Sequence, residues 1–208
     1  MKSLSIILAI CLALSLMISI ANAQHNTTPS DKTDVLQVQD IKTSDQLDSY
    51  VAKVKSYNSN QMGSRNISDE LATTITFSKY LTFNELEKYA REYALTIKQV
   101  QVRGIEEDGT RITVFALANT DLSNVEANVL EEAATNNFEI VGITDIYAYV
   151  NSNNLMSISD DMLTYLADTS GNNMLSSANI NNVMSANTDS KIFPKSLTWE
   201  LEDLEILK

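Results

Sequence analysis

Beyond position 11 the 208-residue chain contains no cysteine, and Cys11 itself lies inside an apolar leader. No disulfide, thiolate nucleophile or thiolate metal site can therefore form in the body of the protein. Histidine is equally scarce. His25 is the only one, and it stands in a polar stretch of Asn, Thr and Ser. A catalytic imidazole needs an orienting partner within hydrogen-bond reach, and an ordinary zinc site needs several His or Cys ligands. The sequence thus offers no catalytic residue, no metal ligand set and no cofactor site. The five glycines, Gly63, Gly104, Gly109, Gly142 and Gly171, are isolated, so neither a phosphate-binding loop nor a nucleophile elbow is present. Aromatics are few, with Trp199 the single tryptophan. Positive charge is also short: 15 Lys and Arg face 27 Asp and Glu, for a net charge of −12. Such a surface repels nucleic acid and anionic membranes; it suits solubility as a solvated acidic exterior, with a cationic partner or cations at a surface as the alternative.

What is present begins with an apolar run. Lys2 precedes Ile6 to Ile20, and Ala21-Asn22-Ala23 closes the run with small residues. This is the layout of a secretory signal peptide over residues 1–23, with cleavage expected after Ala23. An uncleaved anchor is the alternative, since the run is near the minimum length for a span. A lipoprotein signal is excluded, because Cys11 follows Ile10 in mid-run. The expected location is secreted or extracytoplasmic, without stable membrane association after cleavage.

Residues 24–70 read as a flexible leader carrying a short amphipathic helix over about 44–57, with Leu47, Tyr50, Val51, Val54 and Tyr57 at helical spacing. The N-cap is expected at Ser44 or Asp45. Asn26-Thr27-Thr28 and Asn66-Ile67-Ser68 match the N-glycosylation pattern.

The main domain is expected over 71–180. Leu71 to Phe77 is rich in β-formers. Thr82 with Glu85 forms a capping box for a helix whose stripe is Leu86, Tyr89, Ala90 and Tyr93, with Glu87 and Arg91 paired on its wet side. Ile97 to Ile105 and Thr110 to Ala118 are strands joined at Asp108-Gly109, with Val100 and Val102, and Ile112, Val114 and Ala116, sharing faces. Ser123 and Glu126 suggest a second capping box, for a helix that buries Val125, Val129, Leu130 and Ala133 and stops at Asn136-Asn137. Phe138 to Val150 is a long strand, expected to bend at Gly142. A third helix is expected from Ser159-Asp160-Asp161 to Gly171, with Met162, Leu163 and Leu166 inward. Met174 to Ile180 would be a last strand, and 181–208 a tail that docks through Trp199 and Leu201 or binds a partner. The element order predicts an α+β, ferredoxin-like sandwich of βαβ units. Its mixed or antiparallel sheet would carry helices on one face, with a hairpin and a helix inserted between the halves.

The strand, the helix opened by Thr82-Phe83-Asn84-Glu85-Leu86, the strand at Lys98-Gln99-Val100 and a late helix from Met162 to Ala167 resemble the propeptide-inhibitor domains of subtilisin-like proteases. The resemblance covers roughly 71–180. It implies a ferredoxin-like fold that binds a secreted protease through its sheet. Asn173-Met174-Leu175-Ser176-Ser177 departs from that family's hydrophobic-acidic ending.

Carboxylates occur in clusters at Glu106-Glu107-Asp108, at Glu131-Glu132 and at Glu200, Glu202, Asp203 and Glu205. Each reads as solvated surface, with pKa values near reference. A glycosidase needs two carboxylates facing each other across a groove. Asp168, Ser170 and Asn172 have the alternating oxygens of a calcium loop. Asn173 and Asn179 stand where that loop needs its glycine and its bidentate glutamate, so a helix C-terminal loop explains them. The sequence thus points to a non-enzymatic interaction module, working through a sheet face or edge, with a protease-inhibitor-like or propeptide-like role as one version. A hydrolase using carboxylates or a Ser/Lys pair, and a cell-envelope assembly or adhesion subunit, are the alternatives.

Overall fold

A computed structural model describes residues 38–64, 70–118, 122–171 and 193–207, with the side chains of 61–64 left aside. The signal segment, His25, both glycosylation sequons, the Asn172, Asn173 and Asn179 positions of the calcium pattern and the strand expected over Met174 to Ile180 lie outside the described residues. The elements are α1 (Ser44–Ser64), β1 (Glu70–Leu81), α2 (Phe83–Glu92), β2 (Thr96–Glu106), β3 (Arg111–Leu117), α3 (Leu122–Asn136), β4 (Phe138–Asn151), α4 (Leu155–Ser159), β5 (Thr164–Asp168) and α5 (Thr198–Asp203). Single 3-10 turns precede α1 and α4.

The strands form one sheet in the order β3-β2-β4-β1-β5, antiparallel throughout. β4 runs between β1 and β2, so β1-α2-β2 is a split crossover. Removing β3 and α3 leaves the order β5-β1-β4-β2, the ferredoxin-like arrangement. The protein is therefore an α+β, ferredoxin-like fold with an inserted strand and helix.

Alternation along the strands builds the main core. Leu71, Ile75 and Phe77 of β1, Val100 and Val102 of β2, Val114 of β3, and Ile146, Ala148 and Val150 of β4 point to one face. There they meet Leu86 and Tyr89 of α2, Val125, Val129 and Ala133 of α3, and Leu155 and Ile158 of α4. Ala90 and Tyr93 complete the α2 stripe at the margin of this core. Thr82 caps α2 in a reciprocal box with Glu85, whose carboxyl is held down to about 2 by Lys79 and by the Thr82 backbone. Gly142 has φ +152, and a Cβ there would stand 2.9 Å from Tyr80 Cβ. The β2–β4 register breaks on both sides of this glycine.

Several local expectations are corrected. The segment from Asp160 to Ser170 is not a helix, and Gly171, expected to end one, is itself helical. A short helix closes earlier, at Ser159, and Thr164–Asp168 is the edge strand β5, held to β1 from Thr74 to Phe77. Thr164 is β-branched and Tyr165 aromatic, both strand formers, and the stretch pairs with the otherwise free side of β1. Met162, expected inward, is the most exposed large apolar side chain among the described residues. The cap of α1 is Thr43 rather than Ser44 or Asp45, through a box with Gln46. α3 begins at Leu122, which puts Ser123 inside its first turn instead of at the cap, and Leu130 is exposed.

A second layer covers the opposite face of the sheet. α1 and the C-terminal segment bring Leu47, Tyr50, Val54, Leu197, Leu201 and Leu207 together with Leu166 in a separate cluster. The segment 193–207 lies on that face: Phe193 stacks on Tyr147 and Tyr149, Thr74 Oγ1 donates to Pro194 O at 2.6 Å, and Trp199 lies over Arg103. Trp199 and Leu201 thus both pack on the domain.

Candidate functional site

The two edges of the sheet differ. At the β5 edge, α1 closes the strand. Asn58 Nδ2 donates to Ala167 O at 2.7 Å, Thr169 donates to Asn58 Oδ1, and Tyr50 donates to Asp168 Oδ2 at 2.6 Å. Burial raises the pKa of Asp168 and of Tyr50. Both oxygens of Asp168 are already engaged, since Oδ1 accepts from Ser170 N. The first carboxylate of the suggested calcium pattern is thus a structural acceptor.

At the other edge, no strand among the described residues pairs with the outer side of β3. The β2–β3 hairpin turns at Glu107 to Thr110, where Gly109 adopts φ +87 and Thr110 N is held by Asp108 Oδ1 at 2.9 Å. The register then runs without a break from Ile105↔Arg111 to Gln99↔Leu117. Glu106 N donates to Thr110 O, and Ala118 N to Lys98 O. In an antiparallel pair, bonded residues alternate with non-bonded ones. The bonded positions of β3 are therefore Thr110, Ile112, Val114, Ala116 and Ala118. The backbone amides and carbonyls of Arg111, Thr113, Phe115 and Leu117 point away from the sheet. The same four side chains lie on the face opposite the main core. Phe115 is 59% exposed and Leu117 66%. Trp199, 42% exposed, rests on the Arg103 and Arg111 guanidiniums at the Arg111 end of the strand. An edge this long usually carries a bulge, a proline or lysines that block pairing. β3 has none of these.

Between this strip and β1 lies a buried charge cluster. Arg103 Nε donates to Glu202 Oε1 at 2.6 Å, and Arg103 Nη1 to Ile112 O and Thr113 Oγ1. Arg111 bridges Glu202 and Asp203. Tyr80 donates to Glu202 Oε1. Asp145 Oδ2 accepts from Thr144, Ser196 and Thr198 hydroxyls at 2.9, 2.8 and 2.8 Å. Burial pushes the Asp145 carboxyl up to about 6, against the pull of those hydroxyls and of Arg103. Burial also raises the pKa of Glu200. Among the described residues Arg103 Nη2, Asp145 Oδ1 and Glu200 Oε2 are buried without a hydrogen-bond partner.

This cluster overturns the reading of the tail acids as solvated. Glu200 and Glu202 are buried, and only Asp203 and Glu205 face water. The expectation that the acids keep reference pKa values fails for Asp145, Asp168 and Glu200, which burial raises, and for Glu85 and Asp108, which hydrogen bonds lower. Neither Arg103 nor Asp145 was legible as special. Each is an isolated charge within a β-pattern, and the one available signal was that the alternation places both on a sheet face. The other acidic clusters are exposed. Glu131 and Glu132 lie on the last turns of α3. Glu106 and Glu107 line an open groove of about 680 Å³ with Ile105, Ala133, Ala134, Asn137, Phe138 and Glu139.

A two-carboxylate hydrolase needs its acids facing one another across a substrate groove. Asp145 and Glu202 are instead buried, Asp145 against Ser196 and Thr198 and Glu202 against Arg103, Arg111 and Tyr80. Among the described residues no group of three or more His, Cys, Asp or Glu is placed to hold a metal ion, and no helix is long and apolar enough to cross a membrane. No protein-family model, curated protein or solved structure matches this chain.

Proposed function

We propose that this chain works outside the cytoplasmic membrane as a non-enzymatic interaction module, taking an extended segment of a protein partner onto β3 as a sixth strand. The observation that carries the reading is the open β3 edge. Four residues turn their backbone groups outward, and two of them, Phe115 and Leu117, also present large exposed apolar side chains. Strand addition draws affinity from main-chain bonds and specificity from alternate side chains. The extracytoplasmic location rests on the Lys2-to-Ala23 leader pattern. Inhibition of a secreted protease is the version favoured by the resemblance to propeptide-inhibitor domains, which also engage partners through the sheet.

The test uses the full secreted chain. Mass spectrometry of protein from the native host is expected to find Gln24 at the N-terminus. A co-purification from the secreted fraction is run with wild type and Leu117→Pro side by side. Proline removes an outward donor at an edge position that the β2 ladder does not use. Loss of a specific partner in the variant, with unchanged circular dichroism, is expected; equal recovery with both would sink the edge reading. The hydrolase reading is favoured only by the raised Asp145. Turnover on a peptidase or glycosidase panel that Asp145→Asn abolishes would establish it instead.

A further inference from the structure

We infer that the segment received by β3 is antiparallel to it, carries apolar residues at alternate positions and ends, at its C-terminal side, in Lys or Arg. This rests on the strand-addition reading and specifies its partner chemistry. Three observations on this edge converge.

The first is apolar alternation. On the face shared by Arg111, Thr113, Phe115 and Leu117, the exposed surface along the strand is Trp199, Phe115 and then Leu117. An added strand sets every second side chain beside these, and cross-strand pairs of aromatic with β-branched residues are favourable.

The second is the uneven charge along the edge. At the Arg111 end the hairpin supplies exposed Glu106, Glu107 and Asp108, and Glu139, in a groove on the β4 side of β2, adds its charge to the acidic field of this end from further in. The C-terminal end of α3 closes that groove with Ala133, Ala134 and Asn137, has no basic residue in its last turn, and directs the negative end of its dipole there. No Lys or Arg lines the groove. Arg111, the basic residue of this end, is already engaged by Glu202 and Asp203. Among the described residues, the Leu117 end carries the exposed Lys98, which leans over the Tyr149 ring.

The third is direction. Every ladder in this sheet is antiparallel, and antiparallel pairing is slightly the more stable per residue. A strand antiparallel to β3 ends at the Arg111 side, so its basic residues belong at its C-terminal end. A second copy of this chain fits less well, because two chains of net charge −12 repel.

The experiment is fluorescence anisotropy with the intact secreted chain and four labelled synthetic peptides. The first alternates valine and threonine and ends in Arg-Arg. The second ends in Glu-Glu, the third in Ser-Ser, and the fourth begins with Arg-Arg and ends in Ser-Ser. The first peptide is expected to bind at least tenfold more tightly than the other three, with an advantage that shrinks as salt rises. Glu106→Gln/Glu107→Gln/Glu139→Gln, all exposed positions, should bring the first peptide down to the level of the third. Leu117→Pro should weaken all four. Equal binding of the first and third peptides would overturn the charge inference and leave the edge reading standing. Equal binding of the first and fourth would overturn the antiparallel direction. Binding of the first peptide unchanged by Leu117→Pro would mean bulk attraction to an acidic surface and would overturn the inference. If no peptide binds while sedimentation shows a dimer that Leu117→Pro dissociates, the edge belongs to a second copy and the inference fails. If no peptide binds and the chain stays monomeric, the strand-addition reading fails with it.

Discussion

Arg103 of β2 and Glu202 of α5 meet at 2.6 Å, with 1% and 3% of their side chains accessible to solvent. This ion pair joins the central sheet to a six-residue helix that could not persist alone. The Trp199 ring, 4.1 Å above the same guanidinium, closes the pair off from water. Removing one partner strands a buried charge. Glu202→Ala is expected to cost roughly 3–5 kcal/mol, whereas the double replacement Arg103→Met/Glu202→Leu should cost far less. Urea denaturation of the single and double variants checks this. A double variant as unstable as the single would show that the pair contributes strongly on its own account.

Asp145 sets a pH dependence. Its carboxyl titrates near 6 in the folded chain, above its ordinary value, because it is buried. A carboxyl raised on folding contributes stability that is fully present below the unfolded pKa and is lost as pH rises through the folded one. Stability should therefore fall between about pH 4 and pH 6, by on the order of 3 kcal/mol from this group. Asp168 and Glu200, also raised, act in the same direction. Glu85, held down to about 2, acts oppositely, with its contribution lost as pH drops through that value. Chemical melts across pH 4–8 should show the decline, and Asp145→Asn should flatten much of it. A wild-type curve that rises steadily over this range would contradict the assignment.

Leu86 tests the α2 packing. It is fully buried in the main core, where its helix packs on β1, β4 and α3. Leu86→Asp exchanges that burial for an unpaired charge and is expected to cost about 4 kcal/mol or more. A thermal midpoint equal to that of wild type would mean that this helix face is not packed.

Gly142 tests the bend in β4. Both its φ of +152° and the closeness of Tyr80 Cβ and Leu81 O argue against any side chain. Gly142→Ala should destabilise by roughly 1–3 kcal/mol. The neighbouring Ile143→Val, which trims a methylene without touching the bend, should cost about 1 kcal/mol. The order of the two midpoints is the check.

Local chemistry was enough to locate much of this fold. The Thr82–Glu85 box, the α2 stripe, the Asp108-Gly109 turn, the β2–β3 hairpin and the glycine-marked bend in β4 follow from interactions between residues close in sequence, or from periodicity against a single core. The ferredoxin-like order matches the expected succession of elements, although the closing helix and strand lie at Leu155–Ser159 and Thr164–Asp168, earlier than expected. The stretch Thr164–Asp168 was misread because its apolar spacing suits a helix face as well as a strand, and the free β1 edge decided between them. The candidate edge was legible only in part. Alternation puts Phe115 and Leu117 on the face away from Ile112, Val114 and Ala116, but whether that face is covered depends on a segment some eighty residues later in the chain. That segment crosses the sheet as far as Trp199 and stops short of the outer half of β3. It also turns Glu200 and Glu202, two acids of an apparently wet tail, into buried groups, one of them the partner of Arg103. Burial of a charge is a property of what packs over it, and no pattern within a few residues of Arg103, Asp145 or Glu202 encodes a partner so distant in sequence.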